Sequence, residues 1–184
     1  ITMGLPRVEE IFECRMPKAP ALLARVSGVI SDIVRDGDEW VITIIPETAT
    51  TTKTAKAAKK ETEYRASPLR QIVVKKGASV QKGDFLTDGS ADLDELYPLA
   101  GKERAQDYII AEVTRIYELQ GVSTARKHLE IIVKQMFSRV SVVTAGDTGV
   151  SNGEILADFK YEQLNREAKE RGDEQAKGKQ LLLG

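Results

Sequence analysis

The fold is decided by residues 108–137, which read YIIAEVTRIYELQGVSTARKHLEIIVKQMF. The segment contains two apolar stripes with helical spacing. Four residues form each stripe: Ile109, Val113, Ile116 and Tyr117 in the first, and Leu129, Ile132, Val133 and Met136 in the second. Gly121 lies where a left-handed residue would end the first helix, and Ser123 or Thr124 is expected to cap the second. Because neither helix is stable alone in water, we expect the two to pack on each other or on flanking strands.

A short helix and a β-hairpin precede this pair. Residues 4–13, GLPRVEEIFE, carry Pro6 in a first turn and one apolar face formed by Leu5, Val8, Ile11 and Phe12, which predicts a helix. From residue 22 to residue 45 the apolar period changes to two, and β-branched residues dominate. The RDGD turn at residues 35–38 divides this region. The sequence therefore predicts an antiparallel hairpin that Pro46 ends.

Residues 48–60 are a low-complexity stretch of threonine, alanine and lysine. They contain few apolar residues, so we expect an exposed, mobile tip. The stretch is the most basic of the chain because of four lysines: Lys53, Lys56, Lys59 and Lys60. It is either a solubilising loop or a contact with the phosphate backbone of DNA, since such clusters bind DNA without reading its sequence.

Short strands are expected to resume in residues 64–87, where glycines at turn positions separate β-rich pieces. This spacing is similar to half of the barrel of lipoyl and biotinyl carrier domains. Those carriers need a modifiable lysine at the tip of a tight hairpin, and this sequence has none there, so the likeness concerns the fold alone. Residues 88–101, with Pro98, are expected to form a polar connector.

The region after the helix pair shows a strand pattern at residues 140–143 and turns at 145–149 and 152–153. Asp158 is expected to cap a final charged helix at residues 159–171, and residues 172–179 are expected to be flexible.

Together these patterns predict an α+β fold. A small antiparallel, barrel- or sandwich-like (barrel–hybrid-like) β region is inserted before a helix–Gly–helix pair, a short β segment and a C-terminal helix. We expect three segments. Residues 1–21 form a helix and connector, residues 22–90 the β-rich region with its insert at 48–60, and residues 91–184 a helical base with short strands.

The totals exclude several kinds of chemistry. Cys14 is the only cysteine and His128 the only histidine, so the chain cannot form an internal disulfide, a cysteine-based zinc site, a catalytic triad or a two-histidine metal site. A net charge of −1 gives no global attraction to nucleic acid or acidic lipid. No apolar run approaches the roughly 20 residues of a membrane span and we expect no signal peptide, so the composition predicts a soluble, cytoplasmic protein. The residues at both ends indicate a fragment of a longer chain.

Four motifs follow one another in a fixed order. They are GLPRVEEIFE at residues 4–13, YELQGV and KHLEIIVKQM within 113–137, GDT with GE at 146–154, and LLG at 182–184. Together they resemble the C-terminal part of the bacterial-type RNA polymerase beta-prime subunit, over nearly the whole chain. The sequence departs from that family at residues 123–126, where an acidic residue is usual before the Lys-His pair, and in the insert, which has no fixed counterpart.

The resemblance implies a non-catalytic part of a DNA-directed RNA polymerase, a nucleotidyltransferase. The family's Mg²⁺-binding aspartate motif lies far upstream, so Mg²⁺ would be bound elsewhere in the intact polymerase and no cofactor, catalytic residue or metal ligand is expected here. Residues 22–89 would correspond to the jaw beside downstream double-stranded DNA. The trigger loop, which closes over the incoming nucleotide, would end at or just before Ile1. The expected function in transcription is to contact downstream DNA through the jaw and to anchor the trigger loop.

The basic stretch and this resemblance together give candidate contact residues. For DNA they are Lys53, Lys56, Lys59, Lys60 and Arg15, and for the trigger loop or another subunit they are Arg7, Arg126, Lys127 and His128. The implied partners are the beta subunit, the rest of beta-prime, omega, alpha and a sigma factor, with transcription regulators as further partners and no membrane. The implied location is the bacterial cytoplasm, associated with the nucleoid, or an organellar equivalent. Helix-surface salt bridges and a structural role for His128 are the simpler interpretations of the same residues.

Two alternative functions remain open. The first is a platform that binds regulators or subunits without contacting DNA, which crosslinking in an assembled polymerase would reveal. The second is a lipoyl-like carrier or adaptor module, which a covalent lipoyl or biotinyl adduct in the intact mass would reveal.

Overall fold

A computed structural model describes residues 4–47 and 61–184. They form two compact units, which we call the β-rich unit (residues 15–47 and 61–105) and the helical unit (residues 4–14 and 106–184). The described elements are α1 (Leu5–Phe12), β1 (Gly28–Asp36), β2 (Glu39–Pro46), β3 (Thr62–Ala66), β4 (Ser79–Val80), α2 (Leu93–Ala100), α3 (Lys102–Leu119), α4 (Arg126–Met136), β5 (Arg139–Thr144), β6 (Ile155–Ala157), α5 (Asp158–Arg171) and β7 (Lys177–Leu181). The α+β class predicted from the sequence is confirmed. The division into three segments stays a prediction.

The β-rich unit is built on an antiparallel sheet with the strand order β3-β2-β1-β4. The predicted hairpin is confirmed: β1 and β2 pair from Gly28↔Pro46 to Asp36↔Glu39, and a register shift between Ile30 and Asp32 marks an irregularity that bends β1. Alternate residues face an apolar core formed by Ala24, Ile30, Ile42, Ile44, Tyr64, Val80 and Leu86. In β2 the alternate residues Ile42 and Ile44 belong to this core, but Val41 and Thr43 between them are buried as well, so the period-two pattern holds only in part.

Helix α2 lies where the sequence was expected to form a polar connector, so that expectation is wrong. The Asp92 carboxylate caps the helix by accepting a hydrogen bond from the Asp94 amide at 3.1 Å. Pro98 lies inside the helix and costs about 3 kcal/mol there. Burial of Leu93 and Leu96, at about 1.5–3 kcal/mol each, offsets this cost.

The helix pair at the centre of the sequence is confirmed as α3 and α4. Gly121 has a φ of 75° and ends α3 in a Schellman motif. The Val122 amide donates to the Tyr117 carbonyl at 2.9 Å, and the Gly121 amide donates to the Glu118 carbonyl at 2.9 Å. The last carbonyls of α3 thus gain partners before the chain turns into α4.

The start of α4 differs from the expectation. Ala125 occupies the N-cap position and makes no side-chain capping bond, so the prediction that Ser123 or Thr124 caps this helix is wrong. The buried face of α4 consists of Leu129, Val133 and Met136. Ile132, which the sequence pattern placed on the same stripe, is 44% exposed because it lies about 60° around the helix from that face.

A small sheet with the order β6-β5-β7 completes the helical unit. Residues 177–181 form β7, which pairs with β5 from Arg139↔Leu181, so the expected flexibility of residues 172–179 is wrong for this part. A second apolar core includes Val142, Leu156 and Ala176. Helix α5 covers it with two partly buried residues, Tyr161 and Leu164.

The cap expected at the start of α5 is also different. Ala157 is the N-cap, and Asp158 lies in the first helical turn without capping it. The Asp158 carboxylate accepts a hydrogen bond from the Gln180 side-chain amide at 3.0 Å, so it links α5 to β7.

Candidate functional site

Arg7 lies on α1 and points its guanidinium into the helical unit, with only 5% of its side chain exposed. One terminal nitrogen donates to the Glu10 carboxylate, one turn further along α1. The other donates to the Tyr108 hydroxyl on α3 at 3.3 Å. Nε lies 3.8 Å from the Glu112 carboxylate, also on α3. We call these residues, together with Arg115, the Arg7 cluster.

Glu112 contacts both the buried Arg7 and the partly exposed Arg115. Its carboxylate accepts a hydrogen bond from Arg115 at 2.8 Å, and the Arg115 side chain is 52% exposed. This hydrogen bond is the main cause that raises the pKa of Arg115 above its usual value, while partial burial acts in the opposite direction. Arg115 therefore stays charged beside the Glu112 carboxylate.

The Arg7 cluster orients α1 relative to α3, because burying a charge without partners is costly. A buried guanidinium is strongly unfavourable unless carboxylates and hydrogen-bond acceptors surround it. Glu10 belongs to α1 itself, whereas Tyr108 and Glu112 lie on one face of α3, so a rotation of α1 about its axis would take Arg7 away from its two partners on α3. Arg7 Nε makes no hydrogen bond within the described residues. The contacts of Arg7 with α3 can hold the segment that carries α1 in place.

Arg126, at the first turn of α4, makes a second link to α3. Its guanidinium donates to Glu130 at 2.7 Å and to Asp107 at 2.9 Å. These two bonds, in that order, raise the pKa of Arg126 above its usual value. Arg126 of α4 contacts Asp107, and Arg7 of α1 contacts Tyr108. Because Asp107 and Tyr108 are successive residues of α3, the two arginines contact α3 at neighbouring positions. Arg126 is 64% exposed, and its link is therefore worth little compared with that of Arg7.

The remaining candidates from the sequence are not brought into this cluster. Lys127 and His128 lie exposed on α4. Arg15 is exposed in the β-rich unit. Four candidates lie outside the described residues: Lys53, Lys56, Lys59 and Lys60. Their roles stay predictions.

Sequence analysis missed the burial of Glu10 and the part played by Tyr108 and Glu112. It placed Leu5 on the apolar face of α1, but Leu5 is 53% exposed and Arg7 and Glu10 are buried instead. The spacing of Arg7 and Glu10, three residues apart on a helix, was a readable signal for an ion pair. No neighbouring residue in the sequence indicated that Arg7 and Glu10 are buried, because the partners of Arg7 on α3 lie about 100 residues further along the chain.

The described residues contain neither a metal-binding group nor a membrane-spanning helix. Within residues 4–47 and 61–184, no group of three histidine, cysteine, aspartate or glutamate side chains has the arrangement needed to hold a metal ion. The helices of the same residues include none that combines the length and apolar character needed to cross a membrane.

Comparison with known proteins agrees with the motifs of the sequence. The family model described as RNA polymerase Rpb1, domain 5, matches residues 26–157. The chain belongs to this family. It is also similar to a DNA-directed RNA polymerase subunit beta' of Caldanaerobacter subterraneus subsp. tengcongensis, with 39% identity over 184 residues that cover 100% of the chain and 15% of the relative. The resemblance drawn from the motifs is thereby confirmed.

A second relative gives the same result in another organism. The DNA-directed RNA polymerase subunit beta' of Staphylococcus aureus strain Mu50 is 35% identical over 186 residues, which cover 100% of the chain and 14% of the relative. The chain thus spans a small part of the length of the curated relatives it matches.

Proposed function

We propose that the chain is a non-catalytic scaffold within the beta' subunit of a DNA-directed RNA polymerase. In this proposal the helical unit anchors the trigger loop, and the β-rich unit acts as a jaw that holds downstream double-stranded DNA. The burial of Arg7 between α1 and α3 is the observation that carries it. The two-metal chemistry of nucleotide addition would take place elsewhere in the subunit, with Mg²⁺ bound there.

Anchoring a moving loop requires a fixed point next to it. By the resemblance, α1 directly follows the trigger loop, so any rotation of α1 would misplace that loop. The Arg7 cluster opposes such rotation, because turning α1 would move Arg7 away from Tyr108 and Glu112 of α3 and leave its buried guanidinium with Glu10 alone. A small misplacement of groups that align a substrate lowers the reaction rate by a large factor. A rigidly held α1 would therefore help to keep the trigger loop in position.

The charge distribution supports the DNA part of the proposal. The chain carries 27 basic and 28 acidic residues, yet residues 48–60 contain four lysines and no acidic residue. The local positive charge is thus concentrated in the segment between β2 and β3, while the remainder of the chain is acidic. Such a segment would bind phosphates and read little of the base sequence.

The same proposal includes partners and location. The chain would contact the beta, omega and alpha subunits, a sigma factor and the rest of beta', and it would work in the cytoplasm. Its similarity to beta' subunits over its full length supports this assembly.

The anchoring role is tested in a polymerase assembled from purified subunits, with this chain within its beta' subunit. Tyr108→Phe removes one acceptor from Arg7 and leaves the ring in place, and Arg7→Lys keeps the charge but loses the planar fork. We expect both variants to assemble normally and to add single nucleotides several-fold more slowly. Arg25→Lys, at an exposed ion pair of the β-rich unit, is the matched control. Unchanged rates for both Arg7-cluster variants would refute the anchoring role.

The DNA role is tested through salt dependence in the same assembly. Replacing the four lysines of residues 48–60 by alanine should flatten the slope of log affinity for downstream duplex against log salt, by up to about 0.9 for each lost phosphate contact. The control replaces four exposed lysines of the helical unit: Lys160, Lys169, Lys177 and Lys179. Equal slopes for the two quadruple variants would show that the insert does not contact DNA.

A platform for a regulator or another subunit is the second candidate function of the β-rich unit. Two apolar side chains of this unit are well exposed: Leu69 is 91% exposed and Met16 is 71% exposed. Met16 lines a groove of about 390 Å³ together with Arg65 and Arg70, and Leu69 immediately precedes Arg70 in the chain. If Leu69→Ser weakens regulator binding while the salt slope for DNA stays unchanged, this second function is favoured.

A further inference from the structure

Arg70 lies on the wall of a groove in the β-rich unit. The groove has a volume of about 390 Å³, and its apolar lining comes from Met16, Pro20, Ala21, Leu22 and Ala66. We call it the α2 groove, because Asp92 and Glu95 at the start of α2 also line it. Arg70 is half-buried. Gly89 leaves room for its guanidinium, since a Cβ atom at position 89 would lie 3.1 Å from a terminal nitrogen of Arg70.

The other charged side chains that line the α2 groove have partners. Arg65 donates a hydrogen bond to the Glu39 carboxylate at 3.2 Å. Glu95 accepts a hydrogen bond from Arg25, also at 3.2 Å. The Asp92 carboxylate caps α2 and lies at the positive end of the helix dipole. The charge of each of these three residues is therefore balanced within the β-rich unit.

Arg70 differs from these residues. Its guanidinium has no hydrogen bond or ion pair with any residue of the described ranges 4–47 and 61–184. A guanidinium presents a planar fork of donors that fits one carboxylate with two parallel hydrogen bonds. A nucleic-acid backbone fits less well, because the Asp92 and Glu95 carboxylates would repel its successive phosphates. The α2 groove therefore favours a single carboxylate, placed on Arg70.

The charged rim of the α2 groove indicates a partner that binds reversibly. In the Arg25–Glu95 and Arg65–Glu39 pairs, the basic side chains are 68% and 59% exposed. A lasting cover, such as the rest of the same subunit, would remove both pairs from water and pay their desolvation. Permanent interfaces are more apolar than this surface, whereas transient ones keep a polar rim. The volume is near the lower end of the range for ligand pockets, so a short peptide segment fits it.

We propose that the α2 groove binds a short acidic peptide segment of a separate regulatory protein. An aspartate or glutamate of that segment pairs with Arg70, and a neighbouring apolar residue packs against Met16 and Leu22. The ion pair selects the segment, and the apolar contact adds affinity. This inference rests on the second candidate function of the β-rich unit and adds the chemistry of the partner.

The test uses a polymerase assembled from purified subunits, with this chain in its beta' subunit. The probe is a displayed library of random heptapeptides. The library is selected on this polymerase and counter-selected on the Arg70→Gln variant, so that peptides bound elsewhere are removed. We expect the enriched peptides to share one aspartate or glutamate next to an apolar residue.

Fluorescence polarisation of an enriched, labelled peptide then measures the part played by Arg70. Arg70→Gln should raise the Kd by at least about tenfold, and Arg70→Lys by a smaller factor, because lysine keeps the charge but lacks the planar fork. Changing the acidic residue of the peptide to its amide should raise the Kd on the native polymerase and have no further effect on the Arg70→Gln variant. Arg35→Gln is the matched control. Arg35 is an exposed arginine of the same unit without an ion pair in the described part of the chain, so this variant should leave the Kd unchanged.

Three results of the selection and binding measurements would overturn the inference. They are a selection that enriches no peptide for the native polymerase, enriched peptides without an acidic residue, and equal losses of affinity in Arg35→Gln and Arg70→Gln. Displacement of the peptide by duplex DNA would assign the α2 groove to nucleic acid and would overturn it as well. The platform function fails on a separate measurement, namely regulator binding that is unaffected by Leu69→Ser. The two failures are thus distinguishable.

Discussion

In the β-rich unit ion pairs lie at the surface, whereas in the helical unit the Arg7–Glu10 pair is buried. The Arg25–Glu95 and Lys76–Asp32 pairs leave 68% and 67% of the basic side chains exposed, but Arg7 keeps only 5%. The β-rich unit therefore depends on apolar burial, with charges added outside. In the helical unit, charge also fixes how α1 and α3 are oriented. One chain can therefore obtain stability from buried apolar surface and a fixed helix orientation from buried charge.

The largest effect is expected from Arg7→Ala. It leaves the buried Glu10 carboxylate without its cation, while Glu112 keeps Arg115, so the free energy of unfolding of the helical unit should fall by about 3–5 kcal/mol. Hydrogen exchange in α1 and α3 measures this loss. Fluorescence of Trp40, the only tryptophan and a residue of β2, should show an unchanged transition for the β-rich unit. Arg25→Ala is the control and should change stability by less than about 1 kcal/mol. A fall of similar size in both variants would abolish the contrast between the units.

The next effect is expected from Ile42→Ala in the core of the β-rich unit. Ile42 is 0% exposed, and removing its side chain should cost about 2–4 kcal/mol through lost burial and a cavity. Urea unfolding followed by Trp40 fluorescence measures the change. Ile131→Ala removes the same atoms from an exposed site of α4 and should change stability by no more than about 0.5 kcal/mol. If the two substitutions lower the free energy of unfolding equally, the difference in burial between Ile42 and Ile131 does not determine stability.

A smaller effect of opposite sign is expected at the start of α4. Ala125 has extended backbone angles, φ −68° and ψ 128°, and offers no side-chain acceptor to the first amides of the helix. Ala125→Asp should add a capping bond and a favourable charge at the helix N-terminus, which stabilises the helical unit by about 1 kcal/mol. Thermal unfolding and exchange of the α4 amides measure the gain, and Ala125→Asn separates the cap from the charge. A loss of stability in both variants would mean that the N-cap assignment is incorrect.

The smallest effect is expected from pH. The hydrogen bond from Lys76, aided by the Ile33 amide, holds the pKa of Asp32 below its usual range. The folded state therefore gains stability at pH values above the usual carboxyl pKa and loses it as the pH falls through the lowered pKa. In Lys76→Ala, the titration midpoint of the Asp32 carboxyl, followed by NMR, should move up. Lys75→Ala keeps the hydrogen bond from Lys76 and should leave the midpoint in place. High salt should weaken the effect, since the pair is exposed.

Local patterns were enough to predict the hairpin and the helix pair. The β1–β2 hairpin follows from alternation around Gly37, and the end of α3 follows from Gly121. In both cases the deciding contacts lie within a few residues of one another. The signal for α2 was also local, because Asp92 precedes two further acidic residues at a helix start, but Pro98 concealed it.

Other features depend on distant contacts that a local pattern does not contain. The strand β7 reads KGKQL, which has little β-propensity, and it forms because β5 provides a partner edge. Arg7 is buried because Tyr108 and Glu112 lie on a helix far along the chain. The candidate site was thus predictable in its residue Arg7 but not in its geometry.

The central position of β5 in its sheet has a consequence during translation. Its neighbour β7 ends at Leu181, so β5 leaves the ribosome well before its second edge can be covered. At about 5–20 residues per second, the interval is on the order of seconds. The uncovered edge of β5 offers unpaired backbone groups, and β5 also contains Val140, Val142 and Val143. Such an apolar edge strand can pair with strands of other nascent chains. Nascent chains from which β5 has emerged and β7 has not should therefore need chaperone protection more than chains from which β7 has also emerged.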